Sequence, residues 1–363
     1  MTLRTLVQRT RRIPTQLRRW TSIARARPAA AGVRVYYGRD RVPGRGELAH
    51  GGTVKFQSLA ETFLNSPRDF NLLYLGSGTL PADARMLVRL ARRRGVPLVW
   101  NQNGVAYAGW HGPGWERVNE QPARLLHEAD HVLYQSEFCK LSADRFYGEC
   151  DGAWEVLHNP VDTERFMPAE RRPRQPTLLL AGNQYQRYRY ESALGTLKLL
   201  DDEWRLLVTG RISWHPDHRR ARSEAAELLE RSGLGSRVEL TGPYTQSEAP
   251  ELMLRADLLL HTKYNDPCPT AVLEAMACGL PVVYSASGGV AELVGPDAGI
   301  GIDASLDWER DHPPQPELLR DAVLEAIRRR GELGEAARRR AVELFDVRPW
   351  IERHRALFEE LVR

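Results

Sequence analysis

The stretch Asn265-Asp266-Pro267-Cys268-Pro269-Thr270-Ala271-Val272-Leu273-Glu274-Ala275-Met276-Ala277-Cys278-Gly279-Leu280-Pro281-Val282-Val283 sets the reading of this chain. Two prolines punctuate a loop and prepare a helix start. Thr270 to Cys278 favours a helix, and Ala271, Ala275 and Ala277 are small enough for close packing. Gly279 is placed to end that helix, and Pro281 forbids its continuation. Val282, Val283 and Tyr284 then read as a buried strand. The unit is loop, helix, strand. The N–H groups of Thr270, Ala271 and Val272 fall in the first turn, free for an anion. Asp266 precedes the helix, and Glu274 lies about one turn inside it. The two carboxylates flank a helix N-terminus suited to a diphosphate. A ribose diol can bridge to Glu274, because a carboxylate accepts two hydroxyl hydrogens at once. A lone Glu here would be an ordinary acid near the positive end of a helix, worth only a few tenths of a kcal/mol.

The whole string, however, resembles the donor-site signature of family-4 retaining glycosyltransferases with the GT-B fold. That pattern is an acid, seven residues, then Glu followed by Ala-Met-Ala-x-Gly-x-Pro-Val. The chain keeps the second acid as Glu274 and carries Asp266 where Glu is usual. The resemblance implies an α/β protein with two Rossmann-like domains whose parallel sheets face a cleft, and a last helix crossing back to the first domain. It implies a nucleotide-sugar donor held mainly by the second domain, by Glu274, Pro267, Cys268, Thr270 and Ala271, with Asp266 nearer the sugar.

Size and composition agree with that expectation. At 363 residues the chain suits two domains. No run of 18 uncharged apolar residues exists, which excludes a long apolar membrane span. Cys139, Cys150, Cys268 and Cys278 form no CxxC pair and lack His at metal-ligand spacing, so a reduced chain without structural zinc is expected. The net charge of +4 hides an asymmetry. Residues 1–30 carry eight Arg and no acid, leaving −4 for the remainder. In that arm Leu3, Leu6, Val7, Ile13, Leu17, Trp20 and Ile23 recur near helical spacing, split by Pro14. Two readings stand side by side: a loosely docked basic tail, or an interfacial helix on an anionic membrane with Trp20 at the headgroup level. No nucleic-acid-binding pattern follows the arm. A cytoplasmic protein, peripheral at the membrane, is the corresponding expectation.

In chain order, Val33–Tyr37 reads as a first strand. The pair Gly51-Gly52 then precedes a helix from about Thr53 to Leu64, and such glycines let backbone approach a phosphate or sugar. Family-4 enzymes border the donor with a Gly-Gly loop at this place. Asn71–Leu75 and Pro97–Trp100 read as further strands, and strands alternating with helices argue a parallel sheet. Ligands bind beyond the carboxyl ends of such strands. There the chain has Asn103, where family-4 members commonly place a His that touches the donor sugar. An amide donates and accepts hydrogen bonds but carries no proton at neutral pH. Trp110 and Trp115 follow, either stacking on sugar rings or packing the loop. Ser136 is a good N-cap for the next helix.

Residues 154–168 resemble the family's interdomain segment, and an Arg- and Pro-rich linker follows. Thr177–Gly182 opens the second sheet. Family members follow Gly182 with an Arg and a Lys that neutralise the diphosphate; Arg187 and Arg189 are the candidates here, and the sequence does not choose between them. Gly288-Gly289-Val290-Ala291-Glu292 resembles the family's GG-x-x-E, with plain turn chemistry an equal reading. The final helix carries Trp350, Leu357, Phe358 and Leu361 on one side. The expected division is an arm (1–30), an acceptor domain (31–168), a donor domain (169–345) and a returning helix (346–363). No Asp-x-Asp is present, and no metal or other cofactor is expected. The leading functional expectation is a retaining glycosyltransferase acting on a glycan or lipid-linked acceptor in cell-envelope polysaccharide or glycolipid synthesis. A catalytically silent nucleotide-sugar-binding protein and a nucleotide-sugar epimerase are the alternatives.

Overall fold

The computed structural model describes residues 20–21, 32–49, 51–169 and 174–363. The basic arm, apart from Trp20 and Thr21, lies outside the described residues. Two parallel sheets form the frame. The first runs β1 (Val35–Tyr36), β2 (Leu72–Gly76), β3 (Leu98–Gln102), β4 (His131–Tyr134) and β5 (Ala153–Val156), in that spatial order. The second contains β6 (Thr177–Leu180), β7 (Arg205–Thr209), β8 (Val238–Gly242), β9 (Leu258–His261), β10 (Val282–Ser285) and β11 (Gly299–Ile302). Its order is β11-β10-β9-β6-β7-β8. Strand order therefore reverses between β6 and β9, and a crevice opens beyond their carboxyl ends at such a switch point.

The inner strands are apolar on both faces because helices cover both. Leu178 and Leu180 of β6 join one buried cluster with the helices Arg187–Lys198 and Pro316–Arg328. Leu179 between them joins the opposite cluster, with Val272, Ala275 and Met276. The helix in the opening stretch spans Thr270–Ala277. It ends as its sequence demands: Gly279 has a φ of 69°, and its N–H bonds back to the Met276 carbonyl at 2.9 Å. The small residues have a visible use. A Cβ on Gly334 of the helix Arg330–Leu344 would lie 2.5 Å from the Gly279 carbonyl oxygen.

The last helix, Val347–Leu361, does cross back. Trp350, Leu357 and Phe358 are buried against Val35, Tyr37, Tyr74 and Phe56 of the first sheet and its helix. The two crossings of the chain between the halves lie side by side: the Val161 N–H bonds the Phe345 carbonyl at 2.8 Å, and the Val347 N–H bonds the Val161 carbonyl at 3.0 Å. Among the described residues no helix is long and apolar enough to cross a membrane. Trp20 is not free for a headgroup. Its indole N–H donates to Asp83 Oδ2 at 2.8 Å, and its ring packs on the cluster around Leu87 and Ala84.

Candidate active site

A cavity of about 700 Å³ lies between the two halves and is lined from both. From the first half come Gly51, Gly52, Gly78, Asn103 and Tyr107; from the second come Gly182, Arg189, Arg211, Lys263 and the run Asn265–Ala271 with Glu274. Of the residues singled out from sequence, Asn103, Gly51, Gly52, Gly182, Arg189, Asp266, Pro267, Cys268, Thr270, Ala271 and Glu274 all reach this cavity. Arg187 does not. It is exposed at the start of its helix and pairs with Glu191 at 2.9 Å, one turn on. Two positions along a helix turn a side chain through about 200°, so Arg187 and Arg189 face opposite ways.

Arg189 is 3% exposed. Its guanidinium donates to the Asn183 carbonyl at 2.9 Å and the Ala181 carbonyl at 3.2 Å, clasping the turn after β6. That turn is tight: a Cβ on Gly210, at the end of β7, would lie 2.3 Å from the Gly182 carbonyl oxygen. Glycine there lets the two strand ends abut beneath the cavity.

Glu274 is buried one turn inside its helix. Gln246 Nε2 donates to its Oε1 at 2.8 Å, and no cation pairs with it among the described residues. Burial pushes its pKa up to about 7, only partly opposed by Gln246. The helix N-terminus beside it offers the N–H groups of Thr270 and Ala271. The third expected donor, Val272, is already bonded to the Pro269 carbonyl at 3.1 Å, because the proline-led turn closes on itself.

Asp266 is the opposite case. Burial alone would raise its pKa, but Lys263 at 3.0 Å and His261 at 3.1 Å outweigh it and hold the carboxyl well below the usual carboxylate range. His261 is itself kept below its ordinary value by burial, so its Nε2–H donates to Oδ2. The loop carrying Asp266 is held in place by the glycine pair that the sequence left between turn and site. A Cβ on Gly288 would lie 2.7 Å from the Asp266 carbonyl oxygen, and one on Gly289 2.0 Å from that of Pro267. Glu292, at the end of the same motif, reaches across to the first half. Its carboxylate accepts the Glu137 and Phe138 N–H groups at 2.8 and 2.9 Å and so caps the helix Glu137–Tyr147.

Several contributors were missed from sequence, Gln246 and His261 among them. Lys263 and Arg211 sit just beyond strand ends, and position after β9 and β7 was the available signal. Lys55 and Gln135 form the floor under Asn103. Lys55 is 3% exposed, and burial pushes it down to about 7. Nothing in the spacing of a single Lys on an otherwise mixed helix face marks it. Trp110 lines the cavity, whereas Trp115 packs edge-on to Phe146 at 5.2 Å.

Known proteins complete the picture. Residues 162–339 match the family described as glycosyl transferases group 1. The D-inositol 3-phosphate glycosyltransferase of Salinispora tropica is 35% identical over 108 residues, 29% of this chain and 22% of that protein. The protein of the same name from Streptomyces bingchenggensis is 26% identical over 221 residues, 55% of this chain and 49% of its own length. The chain thus spans about half or less of these relatives. A solved structure of Anabaena HepE in complex with UDP-glucose superposes with a TM-score of 0.67 at 18% identity, covering 80% of this chain and 79% of that one. The frame of two parallel sheets with a returning helix is the GT-B fold, and its second half, residues 162–339, carries the match to the glycosyl transferases group 1 family.

Proposed function

We propose that the protein is a retaining glycosyltransferase that moves a sugar from a nucleoside diphosphate donor to a glycan or lipid-linked acceptor. The observation that carries this is Glu274, a buried carboxylate that meets no cation among the described residues, beside two helix N–H groups with no partner among them and Arg189, in a cavity between two halves. A ribose diol donating to Glu274 would satisfy the carboxylate, and the adjoining diphosphate would meet the helix N-terminus, Arg189, Arg211 and Lys263. Those side chains supply the positive charge that the departing diphosphate needs, so the reaction runs without a metal ion.

Only Asp266 and Glu274 bring carboxylates to the cavity among the described residues, and both have other work. Asp266, tied to Lys263 and His261, holds that charge beside the sugar rather than attacking it. The acceptor hydroxyl then adds on the face from which the diphosphate leaves; the carbon–oxygen bond to phosphate breaks as the new one forms, and the proton passes to the departing phosphate. The acceptor class fits envelope polysaccharide or glycolipid synthesis on the cytoplasmic side of a membrane, with residues 1–30 as the basic contact.

The test is calorimetry with UDP, GDP and ADP and their glucose conjugates, followed by donor turnover with and without a chelator. One nucleotide should bind, and its sugar conjugate should be hydrolysed or transferred at an unchanged rate in chelator. Absence of binding across the panel, or activity restored only by Mg²⁺ or Mn²⁺, would overturn the respective part.

A further inference from the structure

The carboxyl ends of β3, β4 and β5 bring together Asn101, Asn103, Gln135 and Asn159, and a single buried amine, Lys55, rises beneath them from the helix Gly51–Thr62. Lys55 lies one turn after Gly51 and Gly52, on the face they share with the cavity. Its ammonium donates to Asn101 Oδ1 and, at 2.9 Å, to Asn103 Oδ1. Gln135 Nε2 donates to the same two oxygens, at 3.0 and 2.6 Å.

The direction of every amide in this group follows from its two ends. At one end Asn159 Nδ2 donates to the Cys268 backbone carbonyl at 2.8 Å, a group that can only accept. The same nitrogen donates to Gln135 Oε1 at 3.0 Å, which turns Gln135 Nε2 toward Asn103. At the other end His354 Nδ1–H donates to the Trp350 carbonyl at 2.9 Å, leaving Nε2 to accept from Tyr74 at 3.2 Å. The Tyr74 oxygen then accepts from Asn101 Nδ2 at 3.0 Å, which turns Asn101 Oδ1 to Lys55. Both ends agree: the Asn103 oxygen points down to Lys55 and Gln135. Its Nδ2 lies over Gly78, where a Cβ would be only 2.6 Å away, and no acceptor in the protein meets it among the described residues.

We propose that Lys55 is a positioning residue for the donor sugar, fixing the Asn103 amide so that its NH₂ group, and not its oxygen, faces a sugar hydroxyl or ring oxygen in the cavity. This rests on the glycosyltransferase reading and adds to it a role for a residue outside the cavity lining. An amine keeps two N–H groups after losing a proton, so both protonation states serve both amide oxygens.

The experiment measures how much tighter a nucleoside diphosphate glucose binds than its bare nucleotide, by calorimetry across UDP, GDP and ADP and their glucose conjugates. Lys55→Met should leave nucleotide affinity unchanged and cut the sugar's increment by about tenfold, the weight of one hydrogen bond. Lys55→Gln, which restores one donor, should recover part of it. Asn103→Ala should cut the increment equally, and adding Lys55→Met to it should cost nothing more. Independent, multiplying losses would mean that Lys55 supports only the fold, and an undiminished increment in Lys55→Met would likewise overturn the proposal. A parent protein that binds none of the six ligands would overturn the glycosyltransferase reading and this inference with it.

Discussion

Glu274 and Asp266 share one loop and helix yet hold their charges in opposite ways. Glu274 is buried with only an amide to serve it, so its carboxyl stays up near 7 against an ordinary value near 4.5. A carboxyl raised in the folded state favours folding while protonated. Stability is therefore lost as pH rises from about 4.5 to 7 and stays lost above, by about 3 kcal/mol for a shift of this size. Two hydroxyl donors from a ribose would favour the ionised form and recover that loss. Nucleotide affinity should accordingly be roughly tenfold lower at pH 6 than at pH 8 from this group alone. Glu274→Gln separates it from ionisation of the phosphate: the variant should melt higher than the parent at pH 8, bind nucleotide more weakly, and lose the extra pH dependence. A variant that binds as tightly as the parent would remove Glu274 from the ribose site. Asp266 is held by Lys263 and His261, so Asp266→Asn strands two partners and should cost about 3 kcal/mol in denaturant titration. It should spare free nucleotide and lower turnover of the full donor; normal turnover would refute its place beside the sugar.

At the scale of elements, much was legible because local chemistry and tertiary demand coincide. Proline before, small residues within and glycine after define the helix Thr270–Ala277 without outside help. The amphipathic face of Val347–Leu361 likewise foretold its burial, though not that His354 would sit inside it. The choice between Arg187 and Arg189 was not legible, since it depends on where the helix begins, and Gln186 is an undistinguished cap. The floor under Asn103 was unreadable for another reason. Its members come from positions 55, 101, 135 and 159, which only the parallel topology brings together. Glu292 shows the same limit: its sequence pattern points to the donor site, yet its carboxylate caps a helix of the other half. Removing that cap in Glu292→Ala should destabilise the protein by about 1 kcal/mol. Because the cap crosses the cleft, the loss should grow smaller in the presence of a saturating nucleotide sugar that bridges both halves. A loss untouched by ligand would make the cap purely local.

The whole molecule is two sheets joined where Val161 pairs with the backbone beside Asp346, and touching across the cleft at several points, of which the most apolar is Trp308, which leaves the second half and enters the first. Trp308 stacks on Phe138 at 5.5 Å and stands edge-on to Tyr107 and Phe146 at 5.0 and 5.3 Å. Its carbonyl accepts the Gly109 N–H at 2.8 Å, and a Cβ on Gly109 would collide with the Arg310 backbone. These contacts tie the halves together, so parting them means withdrawing the Trp308 ring as well as breaking the bonds from Ser136 to Pro267, from Asn159 to Cys268 and from the Glu137 and Phe138 N–H groups to Glu292. In a single core, Trp→Ala costs about 3–5 kcal/mol because the void cannot collapse. In a two-half molecule whose halves part instead, the cost is capped at the free energy of closure. Trp308→Ala should therefore enlarge the radius of gyration in solution scattering while lowering the melting temperature by only a few degrees. Nucleotide affinity, which the proposed site draws from the second half, should survive, and turnover should fall because Asn103 would no longer approach the donor. An unchanged radius with a fully expressed loss of stability would show that the halves behave as one rigid core.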